Sequence, residues 1–200
     1  MIHTFKYYLD KRNTLGFIVV KAWLRGGSKE DPGGQRGVHQ LLSALLTRGC
    51  GHYGCIELAD LIEGCGAGLR CDTNEDGILI SLKCAAKDAY SLLPLIELMI
   101  TDPHFKDEQI KLEKDLTSQC LQRLKENPFH LAFDGWRSLA FGTGPYGHDP
   151  LGVLEELHTL SKNNLISISN NIINKQNTCV ISGSIPNGIE DLLEDNITYI

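Results

Sequence analysis

Apolar positions along the chain follow two rhythms, one of period two and one near 3.6, and the places where the rhythm changes mark out the elements. His3, Phe5, Tyr7 and Leu9 alternate with other residues, the pattern of a strand with one buried face. Beyond Lys11-Arg12-Asn13, the mostly apolar run Gly16–Leu24, rich in Ile, Val and Trp, predicts a second strand. Gly26-Gly27-Ser28 and Asp31-Pro32-Gly33-Gly34 then read as a long turn-rich loop. Val38, Leu41, Leu42, Leu45 and Leu46 recur at i, i+3, i+4, i+7 and i+8, a single apolar stripe on a helix that Gly49 ends. A shorter helix is predicted over Ile56–Glu63, closed by Gly64. Gly68–Thr73 and Ile78–Cys84 are strands joined through Asn74-Glu75-Asp76-Gly77, a hairpin turn. Helical spacing returns over Lys87–Ile100, Asp107–Lys125 and Phe129–Phe141, punctuated by Asp102-Pro103 and Asn127-Pro128. Gly142–Gly152 is a Gly/Pro loop, Ser161–Ile173 a helix and Thr178–Ile185 a strand of the buried type.

Paired strands separated by groups of helices predict an α+β fold: a mainly antiparallel sheet with helices packed on one face. No repeat of 20–50 residues is present, which sets aside solenoids and propellers. No Gly-rich loop joins a strand to a helix as phosphate binding requires. Ser182-Gly183-Ser184 lies in a strand and does not match a nucleophile elbow.

The chain has 200 residues, a length that reads as one domain spanning residues 1–200. It is 42% hydrophobic and 22% charged, an ordinary globular composition. Lys+Arg 19 against Asp+Glu 25 leaves a net charge of −6, which repels phosphate backbones and argues against nucleic acid as a partner. The longest apolar runs, Gly16–Leu24 and Leu92–Ile100, are broken by Lys21, Pro94 and Glu97 and fall short of a membrane span. Met1-Ile2-His3-Thr4-Phe5-Lys6 lacks a basic flank followed by an apolar core. The expectation is a cytoplasmic chain with no membrane partner.

Seven cysteines stand at positions 50, 55, 65, 71, 84, 120 and 179. In a chain read as intracellular they are expected as reduced thiols packed like small hydrophobes. The competing reading is a metal cluster at Cys50-Gly-His52-Tyr-Gly-Cys55, joined by Cys65. Structural zinc sites favour two matched ligand pairs, and no second pair follows here.

Several stretches, in order, carry a further signal: Trp23-Leu-Arg-Gly-Gly-Ser-Lys-Glu-Asp-Pro, Gly37-Val-His-Gln-Leu-Leu-Ser-Ala-Leu-Leu-Thr-Arg-Gly-Cys50, Ala59-Asp-Leu-Ile-Glu-Gly-Cys-Gly-Ala-Gly-Leu, Glu113–Pro128, Phe141-Gly-Thr-Gly-Pro-Tyr-Gly-His-Asp-Pro-Leu-Gly152 and Asn177–Gly183. Together they resemble the pitrilysin/insulinase metallopeptidases, a family that includes the mitochondrial processing peptidase and bacterial zinc protease homologues. The resemblance implies a processing-peptidase-like half domain. Active members carry an inverted zinc motif, H-x-x-E-H, on the helix that includes Gly37–Leu46. Two His at i and i+4 lie one turn apart on one face and grip one ion, and the Glu serves the metal-bound water as general base. A Glu on a later helix is the third ligand, and another Glu nearly two turns before it supports the site.

Carried onto this sequence, the first His falls at Gln40, the catalytic Glu at Ser43, the second His at Ala44 and the third ligand at Cys120. Only the supporting acid is retained, as Glu113. Gln40 is a weak neutral ligand, Ser43 too weak a base and Ala44 has no donor, so no catalytic or metal residue and no cofactor is expected. His39 is one position early, about 100° round the helix, and is expected at a polar helix edge. Glu113 has the alternative reading of a solvated helix carboxylate. Cys120 shares a face with Leu116 and Leu124 and is expected in the core.

Members of the family are built from two homologous halves of about this length, closing on a peptide like a clamshell, one half often without zinc. The resemblance therefore implies a non-catalytic domain pairing with an active zinc-bearing homologue or a second homologous half around a peptide substrate. The chain is then a piece of a protein about twice as long, or a separate subunit. Two other readings stay open: a peptide- or protein-binding module using the edge of the hairpin Leu69–Leu82, and an active metallopeptidase with an unrecognised site.

Overall fold

The computed structural model describes residues 5–193 and 197–200. His3 lies outside the described residues. In chain order the elements are β1 (Phe5–Lys11), β2 (Phe17–Arg25), α1 (Val38–Leu46), α2 (Cys55–Gly64), β3 (Gly68–Thr73) and β4 (Gly77–Ala85). There follow α3 (Ala89–Thr101), α4 (Asp107–Leu124), α5 (Pro128–Phe141), α6 (Leu154–Leu157), α7 (Lys162–Ile173), β5 (Asn177–Gly183) and β6 (Ile197–Tyr199). The short α6 and β6 carry too few residues for either rhythm to show.

The strands form one six-stranded sheet in the order β3-β4-β2-β5-β1-β6. β2 pairs antiparallel with β4 and β5, and β3 with β4, whereas β1 pairs parallel with β5 and β6. The sheet is thus mixed. The first two strands are not neighbours, because β5 returns from the far end of the chain and inserts between them.

One face of the sheet is buried and the other is open, as period-two alternation requires. Phe5, Tyr7 and Leu9 of β1, Ile18, Val20, Ala22 and Leu24 of β2 and Ile78, Ile80, Leu82 and Cys84 of β4 all point into the core. On the open face Lys21 Nζ donates to Ser81 Oγ at 2.8 Å, and Ser182 Oγ donates to Asp10 Oδ2 at 2.9 Å. The helices cover the apolar face. The stripe of α1 (Val38, Leu41, Leu42, Leu45, Leu46) is fully enclosed, and each such side chain contributes about 1.5–3 kcal/mol by leaving water.

Buried Asn177 joins three elements. Its Oδ1 accepts from the Arg25 N–H at 2.9 Å and its Nδ2 donates to the Ile172 carbonyl at 3.1 Å, which satisfies the end of α7 where β5 begins. α5 starts where Asn127 Oδ1 accepts from the Phe129 N–H, with Pro128 preset for the first turn.

Candidate functional site

α1 begins at Gly37, whose φ of +105° is left-handed backbone and whose side chain can cap nothing. Asp31, from the loop before it, supplies the missing acceptor. Its Oδ2 accepts from the Gly37 N–H at 2.6 Å and its Oδ1 from the His39 N–H at 3.3 Å, placing an anion at the positive end of the helix. The same carboxylate lies 2.6 Å from His39 Nδ1 and 3.3 Å from His148 Nε2. Burial alone raises the Asp31 carboxyl pKa. Hydrogen bonds from His148, His39 and the Gly37 N–H outweigh that and hold it below its ordinary value.

His39 is therefore not at a polar edge. Its side chain is buried, and the residue one position before Gln40 points inward to Asp31. His148 arrives from the loop between α5 and α6. That loop docks on α1 because Gly37 and Gly152 meet backbone to backbone: a Cβ on Gly152 would lie 2.5 Å from the Gly37 Cα. Arg36 adds a fork to Glu156, with Nε at 2.7 Å from Oε1 and the backbone N–H at 2.8 Å from Oε2.

Farther along α1, Gln40 and Ala44 are half-buried and Ser43 is buried. Ser43 Oγ donates back to the Gln40 carbonyl at 3.0 Å, so its hydroxyl proton is already committed to the helix. α1 packs against α4, and just past its C-terminus Arg48 Nε donates to Glu113 Oε1 at 2.6 Å. Glu113 is buried on α4 with Ile110, Thr117 and Leu121, and is not a solvated carboxylate. Cys120 is exposed, as is Leu116, which corrects the expectation of a core cysteine. The inward stripe of α4 runs through Ile110, Glu113, Thr117 and Leu121, so polar Glu113 and Thr117 lie on the buried side while Leu112 and Leu116 face water. The four positions Gln40, Ser43, Ala44 and Cys120 thus offer an amide, an engaged hydroxyl, a methyl and one outward thiol.

All seven cysteines are free thiols, with Cys50, Cys84 and Cys179 buried. Burial pushes the Cys50 and Cys84 thiols up to about 11 and Cys179 to about 12. Cys50 sits in isolated bridges with Tyr53 and Pro103, and among the described residues Cys50, His52, Cys55 and Cys65 do not gather as metal ligands. Among the described residues no helix is long and apolar enough to cross a membrane. β3 is an edge of the sheet. α5 shows water most of its apolar side chains: Phe129 is 79% and Leu139 90% exposed, with Leu131, Phe133, Trp136 and Phe141 also exposed.

The family model for insulinase (peptidase family M16) matches residues 11–151. Human mitochondrial-processing peptidase subunit beta is 21% identical over 152 residues, covering 76% of this chain and 31% of that protein. A zinc protease of Rickettsia bellii with no further characterisation is 18% identical over 160 residues, or 80% of this chain and 39% of its own. The crystal structure of a peptidase M16 inactive domain from Pseudomonas fluorescens superposes with a TM-score of 0.82 at 19% identity, over 92% of this chain and 45% of that one. A Helicobacter pylori protease gives a TM-score of 0.82 at 16% identity, covering 90% and 44%. The chain spans less than half the length of each of these four.

Proposed function

Because the chain belongs to the insulinase family (peptidase family M16), we propose that it is a non-catalytic peptidase-like half that pairs with a zinc-bearing homologue, or with a second homologous half, to enclose peptide substrates. The observation that carries this reading is the chemistry of one turn of α1. In our placement of the family motif, Gln40, Ser43 and Ala44 take the positions of its His, Glu and His, and Cys120 that of the third ligand. Zinc at a catalytic site needs three protein donors and a base beside its open position. An amide, an engaged hydroxyl and a lone outward thiol do not fit that ion, and no hydrolytic step runs through these residues. Glu113, the supporting acid, is instead neutralised by Arg48.

The exposed apolar face of α5 supports the pairing. Phe129, Phe133, Trp136 and Phe141 touch ring to ring while all four are exposed, and such a contiguous apolar strip marks an interface. A half without metal still excludes water and holds an extended peptide in register, both of which lower the barrier for a partner that does the chemistry.

The test is reconstitution. The purified chain is expected to cleave no peptide alone and to raise cleavage by a zinc-bearing homologue from its native host when the two are mixed. Hydrolysis by the chain alone overturns the reading. A second reading rests on the unpaired edge of β3, which can accept an extended strand by main-chain pairing. Peptide binding by the chain that is indifferent to any homologue selects that reading over the first.

A further inference from the structure

Beside the segment of the loop that docks on α1, three side chains from α5 and that loop converge. His130 and Asp134 are one turn apart on the same face of α5, and Asp149 reaches them from the loop. His130 Nε2 lies 3.4 Å from Asp134 Oδ2 and 3.5 Å from Asp149 Oδ2, and the three donor atoms all lie within 4.8 Å of one another. We propose that His130, Asp134 and Asp149 form a site for a divalent transition-metal ion, zinc by donor set, that clips this loop to α5.

The separations carry the argument. Ring nitrogen to carboxylate distances of 3.4 and 3.5 Å are long for a hydrogen bond, whose usual range ends near about 3.2 Å. These two separations are close to the edge of a tetrahedron whose centre is about 2.0–2.1 Å from each donor, an edge of about 3.3–3.4 Å. One imidazole and two carboxylates are ordinary zinc ligands, and three protein donors leave a fourth position for water. The three side chains line a cleft of about 280 Å³ whose walls also include Arg36, Leu131, Ser138 and His148.

Among the described residues neither carboxylate has a Lys or Arg partner, although Lys125 also lines the cleft. Arg36, in the cleft wall, is taken by Glu156. Asp134 Oδ1 has no hydrogen-bond partner, although the side chain as a whole is 43% exposed, and its Oδ2 is the oxygen turned to His130. The donors are held before any ion arrives. Asn127 Oδ1 accepts from the backbone N–H groups of Phe129 and His130 and pins the first turn of α5. Asp149 Oδ1 accepts from the Leu151 N–H at 2.8 Å, leaving Oδ2 for the ion, and Arg137 donates to the His148 carbonyl and ties the loop to the helix. Such outer-shell support is what orients ligands in metal sites. The consequence reaches α1, because the same loop delivers His148 to Asp31 and Gly152 to Gly37.

The experiment titrates zinc chloride into chelator-stripped, reduced protein against a chromophoric chelator, with cobalt(II) as a spectroscopic stand-in. About one equivalent is expected to bind per chain, with cobalt bands of a nitrogen/oxygen site and none of thiolate charge transfer. His130→Ala and Asp149→Asn are each expected to weaken binding at least as much as losing an outer-shell partner does, about 10–100-fold. Asp149→Asn keeps the acceptor for the Leu151 N–H, so it tests the ligand and not the turn. In the wild type, cobalt is expected to shift or broaden the His130 ring resonances before those of other histidines, a readout that needs no variant. Equal affinity in wild type and both variants, a thiolate band, no binding at millimolar zinc, or paramagnetic effects centred elsewhere would each overturn the proposal.

Discussion

Arg48 clasps Glu113 across the contact between α1 and α4, Nε to Oε1 at 2.6 Å, and so supplies the positive charge beside a carboxylate whose side chain is only 8% exposed. A buried acid without a counter-charge is costly, and a guanidinium just past a helix C-terminus also suits the negative end of that helix. Arg48→Ala is expected to destabilise the fold by about 2 kcal/mol, because it strands the carboxylate. Glu113→Gln removes the buried charge itself and costs less. Urea melts of the two variants with an unchanged m-value check the order; the reverse order refutes it.

If the motif positions are placed correctly, the lost site can be rebuilt. The quadruple change Gln40→His, Ser43→Glu, Ala44→His and Cys120→Glu is expected to bind zinc tightly. Made in an Asp149→Asn background, it reports on α1 without a contribution from the α5 cleft. A folded variant that takes up no metal shows the placement to be wrong.

Asp31 links stability to acid. Its folded carboxyl pKa lies below the ordinary 3.8, so below that value the unfolded chain binds more protons than the folded one. The stabilisation is complete above about 3.8 and is lost as pH falls through the lower folded pKa. Asp31→Asn, which keeps the shape of the cap but not its charge, is expected to melt lower at neutral pH because one of two accepting oxygens becomes an NH2 donor, a cost of about 1–3 kcal/mol. Its stability should then vary less between pH 5 and pH 2 than the wild type's, as calorimetric melts would show.

Thiol reactivity should rank by burial. Exposed Cys120 is expected to react first with a disulfide reagent in the native protein, and Cys120→Ser to remove that fastest phase. Cys50, Cys84 and Cys179, buried and with raised pKa values, should react only on unfolding. Fast labelling of Cys179 in native protein contradicts the sheet interior described above.

The outward side of α5 separates interface from core. Leu139→Glu and Phe129→Ser should change stability by no more than about 0.5 kcal/mol, the usual range for exposed positions. Both are expected to weaken association with a homologous half in sedimentation or pull-down with that purified partner. A loss of several kcal/mol on folding would mean that the helix packs inward.

The sequence alone determined the identity and order of the long elements, since alternation in Phe17–Arg25 and the stripe Val38–Leu46 are local patterns that neighbours a few residues away create. It also supplied the side chains on the turn of α1, Gln40, Ser43 and Ala44, on which the proposed loss of the zinc site rests. Only the tertiary structure decided that β5 separates β1 from β2, that His39 turns inward to Asp31, which His148 also reaches, and that Cys120 faces water while Glu113 is buried. It alone joined Asp149 to His130 and Asp134. Each of these depends on groups distant in sequence finding a partner of the right charge or shape, and periodicity carries no information about which distant partner a residue will meet.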